Sequence, residues 1–294
     1  MEMYKVAFNS RGSRCDAWLL LPNKTEASPV VIMAHGFGAE KNFGLLEFAE
    51  RFVEEGIAIL LFDYRHFGGS EGKPKNLVHP FRQREDWKAA LSYVRSSQGL
   101  DSDRIGLWGT SYSGGHVLEI ASQDPNIAVV IAQVPFLDGF ATMQQFSILF
   151  SLRGVVLGVI DILKELIYKK YFRVPIVGFP QEFALINTPE SYSGYMALVP
   201  ENSEWKNLTP ARSALYIPFN RPIKNVSRIN CPVLVVKAEK DSLIPSEIVD
   251  KATAKIPNAH LVSLDAGHFD LYQGSYLEKN LYYQIKFLKE YLIK

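Results

Sequence analysis

The sequence predicts an α/β fold in which a mostly parallel, eight-stranded sheet is covered by helices on both faces. Three observations carry this. Short runs of Val, Ile, Leu and Phe read as continuously apolar, as strands buried on both faces do. Longer amphipathic segments alternate with them. The rhythm holds over most of the 294 residues, a length that still suits one large unit.

The elements follow in order. Strands are expected at Lys5–Asn9, Asp16–Leu21, Val30–Ala34, Ile57–Phe62, Ile105–Trp108, Ala128–Gln133, Val233–Lys237 and Leu261–Leu264. The first two follow one another with no helix between them, which implies an antiparallel start. Helices are expected at Gly44–Glu54, Phe81–Ser96, Gly114–Ser122, Ser246–Ala254 and Ser275–Ile293. In the second of these, Trp87, Ala90, Leu91 and Val94 fall at helical spacing.

Between about 136 and 222 the alternation breaks. The stretch is apolar and helical at first, then rich in aromatics and proline, and the strand–helix rhythm resumes at Cys231-Pro232. Residues 1–135 and 223–294 are therefore read as the core, and 136–222 as a lid inserted over the sheet edge. Gly154 and Gly158 within it mark close helix packing. The lid also offers a surface for a homodimer.

Composition excludes several classes. The chain is 47% hydrophobic and 21% charged with a formal net charge of +1, so neither nucleic acid nor an anionic surface is expected as partner. Met143–Tyr168 is the most apolar stretch, but Arg153, Asp161, Lys164 and Glu165 interrupt it, and a membrane span is not expected. The opening residues lack a basic region followed by an apolar one, so a signal peptide is not expected. Cys15 and Cys231 have no metal or redox spacing and are expected as buried free thiols in a reduced, cytoplasmic setting. No metal site, phosphate loop or cofactor is expected.

The chemistry concentrates at Ile105–Gly115. An apolar strand runs into Gly109-Thr110-Ser111-Tyr112-Ser113, and a helix follows. A nucleophilic serine projecting from a tight strand-to-helix turn needs small residues two before and two after it; Gly109 and Ser113 meet that demand. Ser111 then sits at a helix N-terminus, where N–H groups point at developing negative charge. Ser113 is read as the small spacer. Upstream, the strand Val30–Ala34 ends in His35-Gly36-Phe37-Gly38. The Phe37 and Tyr112 N–H groups are the expected oxyanion hole, with His35 bracing the loop.

These blocks, together with Asp63-Tyr64-Arg65-His66-Phe67-Gly68-Gly69-Ser70, resemble the α/β-hydrolase superfamily, and within it the branch of dienelactone-hydrolase-like and serine-aminopeptidase-like esterases. The resemblance runs from about residue 15 to the C-terminus, apart from 136–222. His66 departs from it by replacing the usual first glycine, and is expected on a surface loop. The resemblance implies the α/β-hydrolase fold and a chain order of Ser, Asp, His. Asp241 and His268 hold the matching positions, each in a loop after a predicted strand, at the edge where ligands bind in open α/β sheets. Glu239, Asp265 and Asp63 compete as the acid. Asp63 is expected to bond Arg65 or loop amides, and Asp270 to serve a turn after His268. His79, His116 and His260 read as loop, helix-face and strand-edge residues.

The expected activity is a serine esterase acting on short- to medium-chain esters or thioesters through Ser111, with His268 as base and Asp241 orienting it. Thioesterase, lactonase, peptidase, acyltransferase and perhydrolase reactions use the same residues, and a non-catalytic receptor on this fold is the rival from another class.

Overall fold

The computed structural model describes residues 1–23 and 27–293. All eight expected strands form and join one sheet: β1 (Glu2–Ser10), β2 (Ser13–Leu21), β3 (Ser28–Ala34), β4 (Ala58–Phe62), β5 (Leu100–Thr110), β6 (Val129–Gln133), then β9 (Val233–Ala238) and β10 (Ala259–Leu264). Their order is β1-β2-β4-β3-β5-β6-β9-β10. β2 runs antiparallel to both of its neighbours, and every other pair is parallel. The antiparallel start follows from the tight turn at Arg11-Gly12, both at positive φ.

Side chains of β3 divide between two cores, as the two-residue period of a strand requires. Val30, Ile32 and Ala34 pack on one face, Val31 and Met33 on the other. Helices α1 (Leu46–Glu54), α2 (Pro80–Ser96), α3 (Tyr112–Ala121), α8 (Ser246–Thr253) and α9 (Gly274–Tyr291) cover both faces and match the expected helices to within a few residues. His79, expected in a loop, caps α2 by accepting from the Arg82 N–H.

The strand order reverses around β3. Its successor β4 lies on one side and β5 on the other. The loops leaving β3 and β5 therefore part at their carboxyl ends and leave a crevice there.

Segment 136–222 holds four helices and a small ribbon: α4 (Gly139–Met143), α5 (Ile148–Tyr168), β7 (Arg173–Val174) paired with β8 (Thr209–Pro210), α6 (Ser191–Ala197) and α7 (Ser213–Tyr216). Asp161, one of the charges that breaks the apolar run, is fully buried here. It accepts from Phe172 N–H at 2.8 Å and from Arg212 Nε at 2.5 Å. Gly158 stands against Leu215, where a Cβ would come within 2.6 Å of its side chain; close helix packing is what that glycine serves. No helix among the described residues is long and apolar enough to cross a membrane. Both cysteines are free, but Cys231 is only half-buried, because it sits at the entry to β9 rather than within the sheet.

Candidate active site

Ser111 follows β5 directly and holds the N-cap position of α3 with φ +55° and ψ −118°. Few non-glycine residues adopt that conformation, and such strain concentrates at functional positions. The turn survives because its neighbours are small and its backbone is bonded on both sides. A Cβ on Gly109 would overlap the Ser113 carbonyl, and one on Gly36 would lie 3.2 Å from the Ser111 Cβ. Ser111 N–H donates to Gln133 O at 2.8 Å, and Ser111 O accepts from Phe136 N–H at 2.8 Å. Ser113 is fully buried with its Oγ 2.7 Å from the Tyr64 hydroxyl, the place of a packed spacer.

Three loops from different strands meet at the Ser111 side chain. Its Oγ lies 3.1 Å from His268 Nε2, and His268 Nδ1 lies 2.6 Å from Asp241 Oδ2. A neutral imidazole protonated on Nδ1 donates to Asp241 and accepts the Ser111 hydroxyl proton on Nε2. Asp241 is itself fixed, since its Oδ1 accepts the Leu243 and Ile244 N–H groups, each at 2.8 Å. His268 is only 2% exposed. Burial pulls its pKa down, but the Asp241 charge and hydrogen bond, with the Glu190 charge, outweigh burial and hold it above the ordinary value.

The competing acids lie elsewhere. Glu239 pairs with Lys237 at 3.2 Å and Asp265 with Lys240 at 2.9 Å. Asp63 accepts the Lys41 N–H at 2.7 Å and the Lys41 ammonium at 2.6 Å. It thus bonds a loop amide, as one of its two expected roles requires, whereas Arg65 pairs with Asp86 at 2.7 Å. Asp270 accepts the Gly267 N–H at 2.8 Å and closes the turn around His268.

His35, His116 and His66 are buried packing groups. Burial lowers the pKa of His35 to about 4, and its Nδ1 bonds the Gly36 carbonyl at 3.0 Å. His116 is buried against Gln83 at 3.2 Å. His66 corrects the sequence reading. It is buried, not on the surface, because its loop folds back with φ +79° and its ring packs beside Arg82 at 3.4 Å. Burial, then the Arg82 charge, lowers its pKa to about 4. It lies away from the Ser111 cavity.

Segment 136–222 contributes residues that sequence reading missed. Glu190 accepts from Ser242 N–H at 2.9 Å and from Ser242 Oγ at 2.8 Å with one oxygen, and from His268 N–H at 3.1 Å with the other. It joins the acid loop to the histidine loop. The Tyr195 hydroxyl donates to Phe37 O, and Trp205 Nε1 donates to Gly38 O, both at 2.9 Å. They hold the loop after β3 by its carbonyls. Among the described residues, neither the Phe37 nor the Tyr112 N–H donates to an acceptor outside regular structure. No sequence signal marks Glu190, Tyr195 or Trp205, because their partners lie 52–167 positions away along the chain.

A cavity of about 420 Å³ opens beside Ser111. Phe146, Phe150 and Phe183 form part of its wall, with Leu215, Ile217 and Ile244. Its described lining carries no Asp, Glu, Lys or Arg. A second pocket of about 30 Å³ lies between Ser111, His268 and Tyr272. No cluster of described residues could hold a metal ion.

Comparison with known proteins places the chain. The pattern of the X-Pro dipeptidyl-peptidase (S15) family matches residues 11–155. Quorum-quenching protein AidA of Acinetobacter baumannii is 40% identical over 284 residues, 97% of this chain and 93% of its own. Polyketide transferase af380 of Aspergillus fumigatus is 25% identical over 95% of this chain and 96% of its own. The crystal structure of the alpha/beta hydrolase GrgF from Penicillium superposes with a TM-score of 0.84 over both whole chains at 23% identity. The chain belongs to the α/β-hydrolase superfamily, in one family with AidA, as an enzyme of the hydrolase or acyltransferase type.

Proposed function

We propose that this protein is a serine hydrolase that cleaves carboxylic esters with short- to medium-chain apolar acyl groups. The observation that carries the reading is the hydrogen-bonded series Ser111–His268–Asp241, whose serine lines a cavity with no charged residue in its described lining. His268 takes the Ser111 proton on Nε2 as Oγ attacks the ester carbonyl. The carbonyl oxygen becomes an oxyanion held by the Phe37 and Tyr112 N–H groups, and loss of one such donor typically costs about 100- to 1,000-fold in rate. The C–O bond to the alcohol then breaks, and the imidazolium returns its proton to the departing alkoxide. This leaves an acyl group on Ser111. His268 next deprotonates a water, which attacks the acyl carbon; the C–Oγ bond then breaks, the imidazolium returns the proton to Ser111 Oγ, and the acid leaves.

Segment 136–222 acts in this reading as the cap that walls the acyl cavity. A lining of aromatic and aliphatic side chains favours an apolar acyl group by desolvation. The absence of a carboxylate from the described lining disfavours a peptidase that grips a free amino terminus. The 30 Å³ pocket beside His268 has room for a water next to the serine and histidine, as hydrolysis needs.

Acyl transfer on the same residues is the second reading, supported by the polyketide transferase relative. A p-nitrophenyl ester series of increasing chain length, with matching thioesters and with added alcohol or amine acceptors, separates the two. The proposal expects hydrolysis with an optimum at short or medium length, abolished in Ser111→Ala, and fluorophosphonate labelling of wild type only. Full esterase activity in Ser111→Ala, or a preference for charged acyl groups, overturns it.

A further inference from the structure

The outward face of α5 carries an apolar seam that no described residue covers. Leu149, Leu152, Val156, Val159, Leu163 and Leu166 follow one another at alternating intervals of three and four residues, the heptad spacing that keeps one stripe of a helix against a partner helix. All six are exposed, Leu149 at 79% and Leu166 at 64%. Ile148, Val155, Ile160 and Ile167 flank the stripe and are exposed as well. Together they present roughly 1,000 Å² of apolar surface, above the about 300–600 Å² of the largest patch on a typical monomer and on the scale of the about 800 Å² that each partner commits to a stable interface.

The opposite face of the helix is already used. Gly154 and Gly158 pack toward Ala214 and Leu215, and Asp161 and Glu165 bind Arg212. The two basic side chains between 148 and 167 are also engaged within the chain, Arg153 over Phe183 at 4.7 Å and Lys164 over Phe172 at 5.5 Å. The seam is therefore free of charge along its length.

We propose that two copies of this chain pair through α5, with the helices antiparallel about a twofold axis. The order of side chains selects this occupant. Read in either direction, the seam is Leu, Leu, Val, Val, Leu, Leu. In an antiparallel pair centred between residues 157 and 158, Leu149 faces the partner's Leu166, Leu152 the partner's Leu163, and Val156 the partner's Val159. Each contact occurs twice, as an isologous interface requires, and the smaller valines fall at the helix crossing, where the backbones approach most closely. A lipid surface is matched less well. A helix lying in a bilayer interface is flanked by Lys and Arg along its polar face, whereas the free basic pair here, Lys169-Lys170, lies beyond one end.

Sedimentation velocity of the purified full chain at micromolar concentration tests the pairing. The expected species is a dimer of the 33.2 kDa chain. Val156→Glu would bury an unpaired carboxylate against the partner's Val159 and is expected to weaken association by at least about 100-fold. Leu163→Glu is expected to act the same way from a different point on the seam. A native far-UV circular dichroism spectrum and a cooperative melting transition in both variants separate loss of pairing from loss of folding; their melting temperature, unlike that of the wild type, is expected not to depend on protein concentration. Register is read by disulfide trapping: Leu152→Cys mixed with Leu163→Cys is expected to cross-link, and neither variant alone. A monomeric wild type, a dimer insensitive to both glutamates, or trapping by either cysteine variant alone overturns the proposal. So does a monomer that binds phosphatidylcholine–phosphatidylglycerol vesicles through this helix.

Discussion

Glu190→Gln tests how segment 136–222 is coupled to the loops beneath it. Glu190 uses both oxygens, one on Ser242 N–H and Oγ, the other on His268 N–H. Glutamine keeps one acceptor and turns the other into an NH₂ that faces an N–H donor, so one link between the two loops is lost. A hydrogen bond to a charged acceptor contributes about 1.5–3 kcal/mol. Glu190 is half-buried, so the lower end applies, and each ~1.4 kcal/mol that reaches the transition state is tenfold in rate. The expected plateau loss in kcat/KM is about tenfold. The charge has a separate effect. Glu190 is one of the negative groups that hold the His268 pKa up. Removing it lowers that pKa, so the unprotonated base persists to lower pH and the acid limb of the profile moves to lower pH. The assay is the pH dependence of kcat/KM on a p-nitrophenyl ester for wild type and variant. An acid limb that does not move, with a plateau within about twofold of wild type, would refute the coupling. A lowered plateau with an unmoved limb would leave Glu190 a mechanical tie without electrostatic reach to His268.

Gly139→Ala and Gly154→Ala are expected to part ways in a melting experiment. A Cβ at Gly139 would overlap the Ile217 carbonyl, a backbone atom, and overpacking of that kind costs typically about 1–3 kcal/mol. At Gly154 a Cβ would meet Ala214 at 3.6 Å and Phe183 at 3.8 Å, ordinary contacts, so the gain in helix propensity, up to about 1 kcal/mol, should show as an unchanged or raised Tm. Burial lowers His35 and His66 to about 4, and His116 well below its ordinary value. The unfolded chain binds protons near pH 6.5 where the folded chain does not, so Tm should fall as pH drops from about 6.5 towards 4; a flat Tm across that window would contradict the burial of these rings. Asp241→Asn should leave Tm nearly unchanged but cut kcat sharply, because an amide no longer selects the Nδ1–H tautomer of His268; retained kcat would remove Asp241 from the proposed triad.

Local physics made much of this molecule legible in the sequence. Val30–Ala34, Ile57–Phe62 and Val233–Lys237 read as buried strands, since short, nearly continuous apolar runs suit a strand covered on both faces. Gly109, Ser111 and Ser113 announced their turn because a strained elbow excludes larger neighbours within two residues. Asp241 and His268 were readable as loop residues after strands, and parallel strands carry such loops to one edge. What the sequence did not carry was everything decided across long separations. His66 looked like a surface residue because nothing near it in the chain shows the fold-back that buries it beside Arg82. Glu190, Tyr195 and Trp205 acquire their roles only when segment 136–222 settles on the loops after β3, β9 and β10. The same docking turns Asp161, Gly154 and Gly158 inward and leaves the leucine and valine seam of α5 outside. Hydrophobic periodicity marks which residues share a face; only the packed tertiary structure decides which face is used within the chain and which remains for a partner.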